Sequence, residues 1–148
     1  MTASRDTSTL LGFDYGRRRI GVAVGETVTG GARPLTTLPC AAEGKPDWHA
    51  IEAIIREWQP GAMVVGRPEH ADGTANAVTL GAERFARQLE GRFGITVHLV
   101  DERLSSREAE QRLAARGRRR PARGSGDALD SMAACVILET WLADDPHE

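Results

Sequence analysis

A pair of short apolar segments near the N-terminus constrains the fold most. Leu10–Asp14 and Ile20–Val24 are each about one strand long, and only the turn Tyr15–Arg19, which contains a glycine, separates them. This pattern is typical of a β-hairpin. We predict two antiparallel strands here and a third strand at Pro34–Leu38, whose proline stands at the strand start, where a missing N–H is tolerated.

Strand and helix patterns then alternate along the chain, which favours a parallel extension of the sheet. The predicted elements are a helix capped by Asp47 and ending near Trp58, a strand Ala62–Gly66, a helix from Thr74 to about Gly91, a strand Ile95–Val100, a helix from the cap Ser105 to about Ala115, and a last helix with the buried stripe Leu129, Met132, Ala133, Val136 and Ile137. Residues 116–126 lack apolar periodicity and are predicted to form a mobile loop. We expect one α/β domain over residues 1–148, with a mixed sheet and disordered tails at 1–8 and 144–148.

The cysteines and the apolar runs indicate the compartment. Cys40 and Cys135 lie far apart and form neither a disulfide framework nor a CxxC metal motif, which favours a reducing environment. No apolar run approaches the ~20 residues that span a bilayer, and the N-terminus is too polar for a signal peptide. We expect a cytoplasmic protein without membrane association.

Positive charge is concentrated in one segment. The chain has a net charge of −2, yet eight arginines and only two acids lie between Arg103 and Arg123. A basic segment on an acidic body indicates a nucleic-acid partner. Backbone phosphate contacts without base specificity are predicted for Arg103, Arg118, Arg119, Arg120 and Arg123. The alternative is a solvated loop without a partner.

Acidic residues stand at element ends where folding does not require them. Asp14 is the last residue of the first predicted strand, and Asp101 and Glu102 directly follow the predicted strand Ile95–Val100. Asp127 and Asp130 lie one turn apart on the last predicted helix. If the strands share a sheet, these carboxylates can converge at its rim. An oxygen-only cluster needs a counter-charge and suits Mg²⁺ or Mn²⁺, and two such ions ~3.5–4 Å apart catalyse phosphoryl transfer. The alternative is that the acids are turn, cap or surface residues.

Two further positions are candidate contacts for a substrate backbone. Gly16 either lets a backbone approach Asp14 or is an ordinary hairpin glycine. Arg67 precedes a polar loop and the next helix N-terminus, where it could meet a phosphate, and the alternative is a connecting turn. The spacing from Gly16 to Gly21 is not a P-loop, because Val22–Ala23 stand where lysine and a hydroxyl residue are needed. No Ser-His-Asp or Cys-His set is evident in the sequence.

Several motifs occur in an order that resembles a known family. They are Phe13–Gly16 with Arg19–Ala23, Val65–Pro68, Asp72–Thr74, Val100–Ser106 and Asp130–Ala134. Together they are similar to the YqgF family of pre-16S ribosomal RNA nucleases, also called Holliday-junction-resolvase-like proteins. The resemblance runs from about Leu10 to Leu142, which is nearly the whole chain.

The resemblance implies a ribonuclease H-like fold with five strands, the first three antiparallel, and helices on both faces of the sheet. It also implies a nuclease that trims the 5′ end of the small-subunit ribosomal RNA precursor. Its catalytic, metal-holding carboxylates correspond to Asp14, Glu102 and Asp130. As in related junction resolvases, Asp127 is a candidate fourth carboxylate.

One departure from the family concerns a lysine that often stands just ahead of the last acid. This chain has Ala128–Leu129 there, and its single lysine is Lys45. Arg123 or a neighbouring arginine is the candidate for that charge.

The hypothesis is therefore Mg²⁺- or Mn²⁺-dependent hydrolysis of precursor rRNA by a monomer or homodimer, with Gly16, Arg19, Arg67 and the basic segment positioning the backbone. One alternative is a Holliday junction resolvase, which would act on DNA as a two-fold dimer. Another is a non-catalytic nucleic-acid-binding factor in transcription or ribosome assembly, against which the complete carboxylate set argues. An actin-like or sugar-kinase ATPase shares the glycine-and-aspartate turn, but 148 residues cannot hold its two lobes.

Overall fold

Five strands form one mixed sheet in the computed structural model, which describes residues 9–42, 44–67, 77–101 and 125–144. The strands are β1 (Thr9–Asp14), β2 (Arg19–Glu26), β3 (Ala32–Pro39), β4 (Ala62–Arg67) and β5 (Val97–Asp101). Their order across the sheet is β3-β2-β1-β4-β5. The first three strands pair antiparallel, and β4 and β5 continue the sheet in parallel with β1. The predicted strand arrangement is therefore confirmed. The predicted place of Pro34 is wrong: β3 begins two residues before it, and the proline is tolerated inside this edge strand beside a register shift.

Three helices are described, α1 (Trp48–Trp58), α2 (Ala77–Phe93) and α3 (Ser125–Asp144). The predicted cap of α1 is present, since the Asp47 carboxylate accepts a hydrogen bond from the Ala50 N–H at 3.2 Å. α3 begins at Ser125 and therefore includes the last two residues of the segment predicted to be a loop. Serine and glycine are common in loops and at helix starts alike, and composition therefore does not fix this boundary.

Side chains alternate across β1 between two different helix layers. Leu11 and Phe13 belong to the large core cluster that α1 and α2 cover, whereas Leu10 packs against Leu138 of α3. The sheet is thus sandwiched between α1 and α2 on one face and α3 on the other. Asp14 stands four positions after Leu10 in β1, so the two side chains lie on the same face of the sheet, which is the face that α3 covers.

α3 is buried on all sides rather than along one stripe. Every residue from Ser131 to Leu138 is buried, including positions that lie outside the predicted stripe. Helices that are apolar all round are core helices, and this one crosses the middle of the sheet. Strand glycines make room for it: a Cβ at Gly12 would lie 2.9 Å from the Leu138 side chain, and one at Gly25 would lie 3.4 Å from it.

None of the helices in the described ranges is long and apolar enough to cross a membrane. The predicted helix from Ser105 to Ala115 lies outside the described residues, as do residues 1–8 and 145–148 and the predicted loop up to residue 124. Cys40 and Cys135 are free thiols, in agreement with the absence of a disulfide motif in the sequence.

Candidate active site

Asp14 lies at the edge of the sheet where the three parallel strands end. It is the last residue of β1 and stands opposite Gly66, the penultimate residue of β4. Gly66 in turn pairs with Val100, and Arg67 pairs with Asp101, the last residue of β5. The carboxyl ends of parallel strands are where open α/β sheets place their functional residues.

Asp130 reaches the same place from α3 because of a glycine in the neighbouring strand. Gly21 of β2 pairs directly with Asp14. A Cβ at Gly21 would overlap the carbonyl group of Asp130, so the helix backbone lies against this glycine. Asp14 and Asp130 are therefore both immediate neighbours of Gly21, on one face of the sheet.

Sequence reasoning did not assign a role to Gly21, although a signal was present. A glycine inside an otherwise apolar strand often marks the close approach of another backbone. In the sequence, Gly21 stands in such a strand between Ile20 and Val22. The partner helix is far away along the chain, so the sequence does not identify which backbone approaches.

Arg19 supplies a positive charge at this edge. Its Nε donates a hydrogen bond to Oδ2 of Asp130 at 2.6 Å, and the two side chains are 45% and 22% exposed. A charge-assisted bond of this length holds the carboxylate in one orientation. The sequence predicted Arg19 as a contact for nucleic acid, whereas the structure places its guanidinium on a candidate metal ligand.

An open depression of about 460 Å³ surrounds this ion pair and is lined by Gly16, Arg17, Arg18, Arg19 and Asp130. The three arginines are exposed. A Cβ at Gly16 would lie 2.7 Å from the carbonyl oxygen of Arg19, so the backbone that approaches Gly16 is that of its own hairpin. The hairpin interpretation of Gly16 is thus the one that the geometry supports.

Arg67 stands at the same sheet edge with its guanidinium bound to another element. Its Nε donates to Oε2 of Glu83 in α2 at 2.7 Å, and both side chains are about one-third exposed. The pair anchors the end of β4 to α2. Arg67 is absent from the described lining of the depression.

The remaining predicted site residues are not described. Asp127 lies in α3 with its backbone alone described. Outside the described residues are Glu102, Arg103, Arg118, Arg119, Arg120 and Arg123. Within the described ranges no three His, Cys, Asp or Glu side chains come together as a metal site.

Tyr15 follows Asp14 and projects to the opposite face, where it is buried against Phe85 of α2. Burial raises the pKa of its hydroxyl, and nearby Cys40 raises the pKa further, while Arg84 and Arg17 lower it. A raised pKa means that the folded protein disfavours the phenolate form of Tyr15. The folded protein is therefore most stable below the pKa of the tyrosine in the unfolded chain, and it loses stability as the pH rises through the pKa of the tyrosine in the folded protein.

We expect this tyrosine to ionise above the ordinary value of about 10. It is the only tyrosine in the chain, so phenolate absorbance reports its titration directly. Wild type should also lose stability to urea above about pH 10, and Tyr15→Phe should lose less. A midpoint at or below that of the urea-unfolded chain would contradict the burial of the hydroxyl.

Comparison with known sequences gives matches over nearly the whole chain. The model of the RuvX family, described as Holliday junction resolvase, matches residues 8–144. A curated protein of Azotobacter vinelandii is 51% identical over 142 residues, which cover 93% of this chain and 94% of that protein. A protein of Pseudomonas paraeruginosa is 47% identical over 147 residues, which cover 99% of this chain and 100% of that protein. Both are named "Putative pre-16S rRNA nuclease".

Comparison with solved structures bears on the fold. Thermus thermophilus RuvC superposes with a TM-score of 0.53 and 17% identity, covering 91% of this chain and 95% of that chain. The RuvC structure in complex with a Holliday junction substrate gives a TM-score of 0.52 and 16% identity, covering 91% and 94%. The predicted ribonuclease H-like α/β fold is confirmed.

Proposed function

The chain belongs to the RuvX family, described as Holliday junction resolvase, and from this premise we propose that it is a metal-dependent nuclease that processes the 5′ end of pre-16S rRNA in the cytoplasm. The proposed catalytic residues are Asp14, Glu102 and Asp130. Arginines position the substrate backbone, and the protein supplies no covalent nucleophile.

The observation that carries this proposal is the meeting of Asp14 and Asp130 at Gly21. Asp14 of β1 and Asp130 of α3 are more than a hundred positions apart in the sequence, and both are neighbours of Gly21 at one edge of the sheet. Carboxylates placed near one another repel, so a cationic partner would stabilise this arrangement. The Arg19 guanidinium on Asp130 shows that a cation is accommodated there.

Glu102 is proposed as the third carboxylate from its place in the chain. It follows Asp101, the last residue of β5, whose strand ends beside β4. His98 of β5 contacts Trp141 of α3 with ring centroids 4.9 Å apart, so residues of this parity belong to the α3 face. Glu102 stands an even number of positions after His98 in the sequence.

The residues present fit a hard divalent cation. Asp14 and Asp130 offer carboxylate oxygens, which Mg²⁺ and Mn²⁺ prefer, and the proposed set contains neither histidine nor cysteine. Asp14, Glu102 and Asp130 would hold the metal, with Asp127 as a candidate fourth ligand. When bound, the metal supplies a water of lowered pKa and stabilises charge on the leaving oxygen.

The exposed arginines provide the contacts that orient the substrate. Arg17, Arg18 and Arg19 line the depression beside Asp130, and we propose that they bind backbone phosphates together with the basic segment from Arg103 to Arg123. Arg67 would join them at the end of β4. Phosphate contacts of this type fix the position of a strand without reading its sequence.

Precursor rRNA is the substrate that the close relatives' names favour, since they are about half identical to this chain over nearly its full length. The family description favours a second candidate, a four-way DNA junction. A junction resolvase makes paired cuts and would need a two-fold dimer.

The test offers end-labelled precursor 16S rRNA and a four-way DNA junction to the protein, with Mg²⁺ or with EDTA. We expect Mg²⁺-dependent cutting of the RNA near the 5′ end of the mature sequence. Preferential cutting of the junction would replace the rRNA proposal with the resolvase. Binding of RNA without cleavage of either substrate would favour a non-catalytic binding factor.

Arg19 gives a prediction with a readout other than cleavage. Removing its charge should tighten Mg²⁺ binding several-fold, because the guanidinium competes for Asp130 and repels a second cation. Stability should change by less than about 1 kcal/mol, since the pair is partly solvated. Isothermal titration calorimetry of Arg19→Gln measures the affinity.

Arg56→Gln, which breaks an exposed pair with Glu52 on α1, is the matched control and should leave Mg²⁺ binding unchanged. Equal affinities in the two variants would show that Arg19 does not stand in for the metal.

A further inference from the structure

A second cavity lies on the other face of the sheet from the carboxylates. It has a volume of about 440 Å³ and is bounded by Tyr15 after β1, by the loop that leads into α1 and by α2. Tyr15 belongs to the core cluster on the α1 and α2 face, whereas Asp14 has the parity of the α3 face. The cavity is therefore separate from the depression beside Asp130, although the consecutive residues Tyr15 and Gly16 line one each. Its size is that of a small-molecule site.

The charged residues that are described in the cavity wall have one sign. Lys45 and Arg84 both line it, and Gln88 adds an amide. None of the described lining residues is acidic. Two exposed cations, with no carboxylate among the described lining residues, favour an anionic ligand, because opposite charges attract even near the solvent.

The Tyr15 hydroxyl is a donor in this wall that lacks a partner in the described part of the chain. The residue is only 6% exposed. Its ring packs against Phe85 with centroids 5.4 Å apart, and a Cβ at Gly81 would lie 3.0 Å from the hydroxyl oxygen. Gly81 also lines the cavity, so the hydroxyl lies where the wall opens. A buried hydroxyl without a partner is destabilising, and an acceptor on a ligand would satisfy it.

Backbone hydrogen bonds hold the loop that carries Lys45. Backbone hydrogen bonds of 2.8 Å join the Gly44 N–H to the Arg17 carbonyl and the Cys40 N–H to the Arg18 carbonyl. A further bond closes the loop, from the Ala41 N–H to the Lys45 carbonyl at 3.0 Å. The loop that carries Lys45 is thus tied to the arginine turn beside Asp130. Preorganised walls reduce the entropy lost on binding.

Trp48 indicates which part of a ligand the cavity recognises. It lines the cavity, but its ring is stacked on Phe85 with centroids 5.5 Å apart, and the Arg92 guanidinium lies 4.2 Å from the ring centroid. Because neighbours already occupy the ring, it is a poor platform for a base. Recognition would therefore fall on the anionic group, with little preference among bases.

We infer that this cavity binds the phosphate group of a nucleotide, with Lys45 and Arg84 supplying charge and the Tyr15 hydroxyl donating a hydrogen bond. Two sources carry this chemistry: a nucleotide of the substrate strand away from the scissile bond, and a free mononucleotide. The strand source rests on the proposed function. Binding is measured in EDTA, where no metal-dependent cleavage occurs, so the result does not depend on the proposed nuclease activity.

The experiment measures binding to the full chain in EDTA with two probes. Calorimetry reports adenosine monophosphate, and fluorescence anisotropy reports a labelled single-stranded RNA. Arg84→Gln removes a lining charge, and Arg87→Gln removes an equally exposed charge three residues further along α2 that does not line the cavity. Tyr15→Phe removes the hydroxyl alone.

We expect Arg84→Gln to weaken binding about tenfold, the usual effect of losing a hydrogen bond to a charged group, and Tyr15→Phe to weaken it a few-fold. Arg87→Gln should leave mononucleotide binding unchanged.

Weakening of Arg84→Gln binding seen for both probes or for the mononucleotide alone identifies the free-nucleotide source. Weakening for the RNA alone, beyond the effect of Arg87→Gln, identifies the strand. Equal affinities of the Arg84→Gln and Arg87→Gln proteins for both probes would overturn the inference, and normal cleavage by the same proteins would leave the proposed function standing.

Discussion

Asp14→Asn is expected to lower the rate of RNA cleavage by about 10³-fold or more while the protein remains folded. The substitution keeps the size of the side chain and removes the charge that a divalent ion requires. A metal contributes several kcal/mol of transition-state stabilisation, and each 1.36 kcal/mol is a factor of ten in rate. Asp14 is half-buried at the end of β1 beside Gly21, and asparagine supplies no negative charge at that position. Single-turnover cleavage in Mg²⁺ measures the effect.

Asp47→Asn is the matched control for this prediction. The same chemical change occurs at the N-cap of α1, where asparagine caps about as well as aspartate. Its cleavage rate should stay within about twofold of wild type, because asparagine keeps the cap and Asp47 is not among the described residues that line the depression or the second cavity. If Asp14→Asn cleaved as fast as Asp47→Asn, Asp14 would not be catalytic. Calorimetric titration with Mg²⁺ would show whether the lost rate follows lost metal binding.

Gly21→Ala is expected to destabilise the fold by about 3 kcal/mol, at the upper end of the usual cost of overpacking. The new methyl group would overlap the carbonyl group of Asp130, so α3 must move away from β2. The movement also separates Asp130 from Asp14, and cleavage should fall even under conditions where the variant is fully folded. Urea unfolding followed by circular dichroism gives the stability.

Gly91→Ala makes the same substitution where the added atom meets nothing within 4 Å. Gly91 lies in the last turns of α2, and alanine there should stabilise the protein by about 0.5–1 kcal/mol. The two variants should therefore change stability in opposite directions. A Gly21→Ala protein as stable as wild type would mean that α3 does not rest on β2 at this point.

Apolar periodicity predicted the strands because each is a short apolar run with turn residues at its ends, and these are local properties. β1 and β2 are one residue and three residues longer than Leu10–Asp14 and Ile20–Val24, because hydrogen bonding with neighbours extends a strand into polar sequence. The N-terminal cap at Asp47 was equally local. These features depend only on residues a few positions apart, so they can be predicted from a single sequence.

Long-range features could not be predicted in the same way. Arg19 and Asp130 are 111 positions apart, and no local pattern links them. The burial of α3 from Ser131 to Leu138 depends on glycines inside β1 and β2, and the sequence does not identify the helix that packs against them. The acids at element ends suggested convergence, but the geometry that brings Asp14 and Asp130 together through Gly21 needed the structure.

β1 lies at the centre of the sheet, and this has a consequence for how activity is lost. Its end pairs with β2 on one side and β4 on the other, while α3 crosses behind it. No subset of the chain can assemble the carboxylate edge, because each supporting element comes from a different part of the sequence. Nuclease activity should therefore be lost at the same denaturant concentration as the global unfolding of the protein, and not at a lower one.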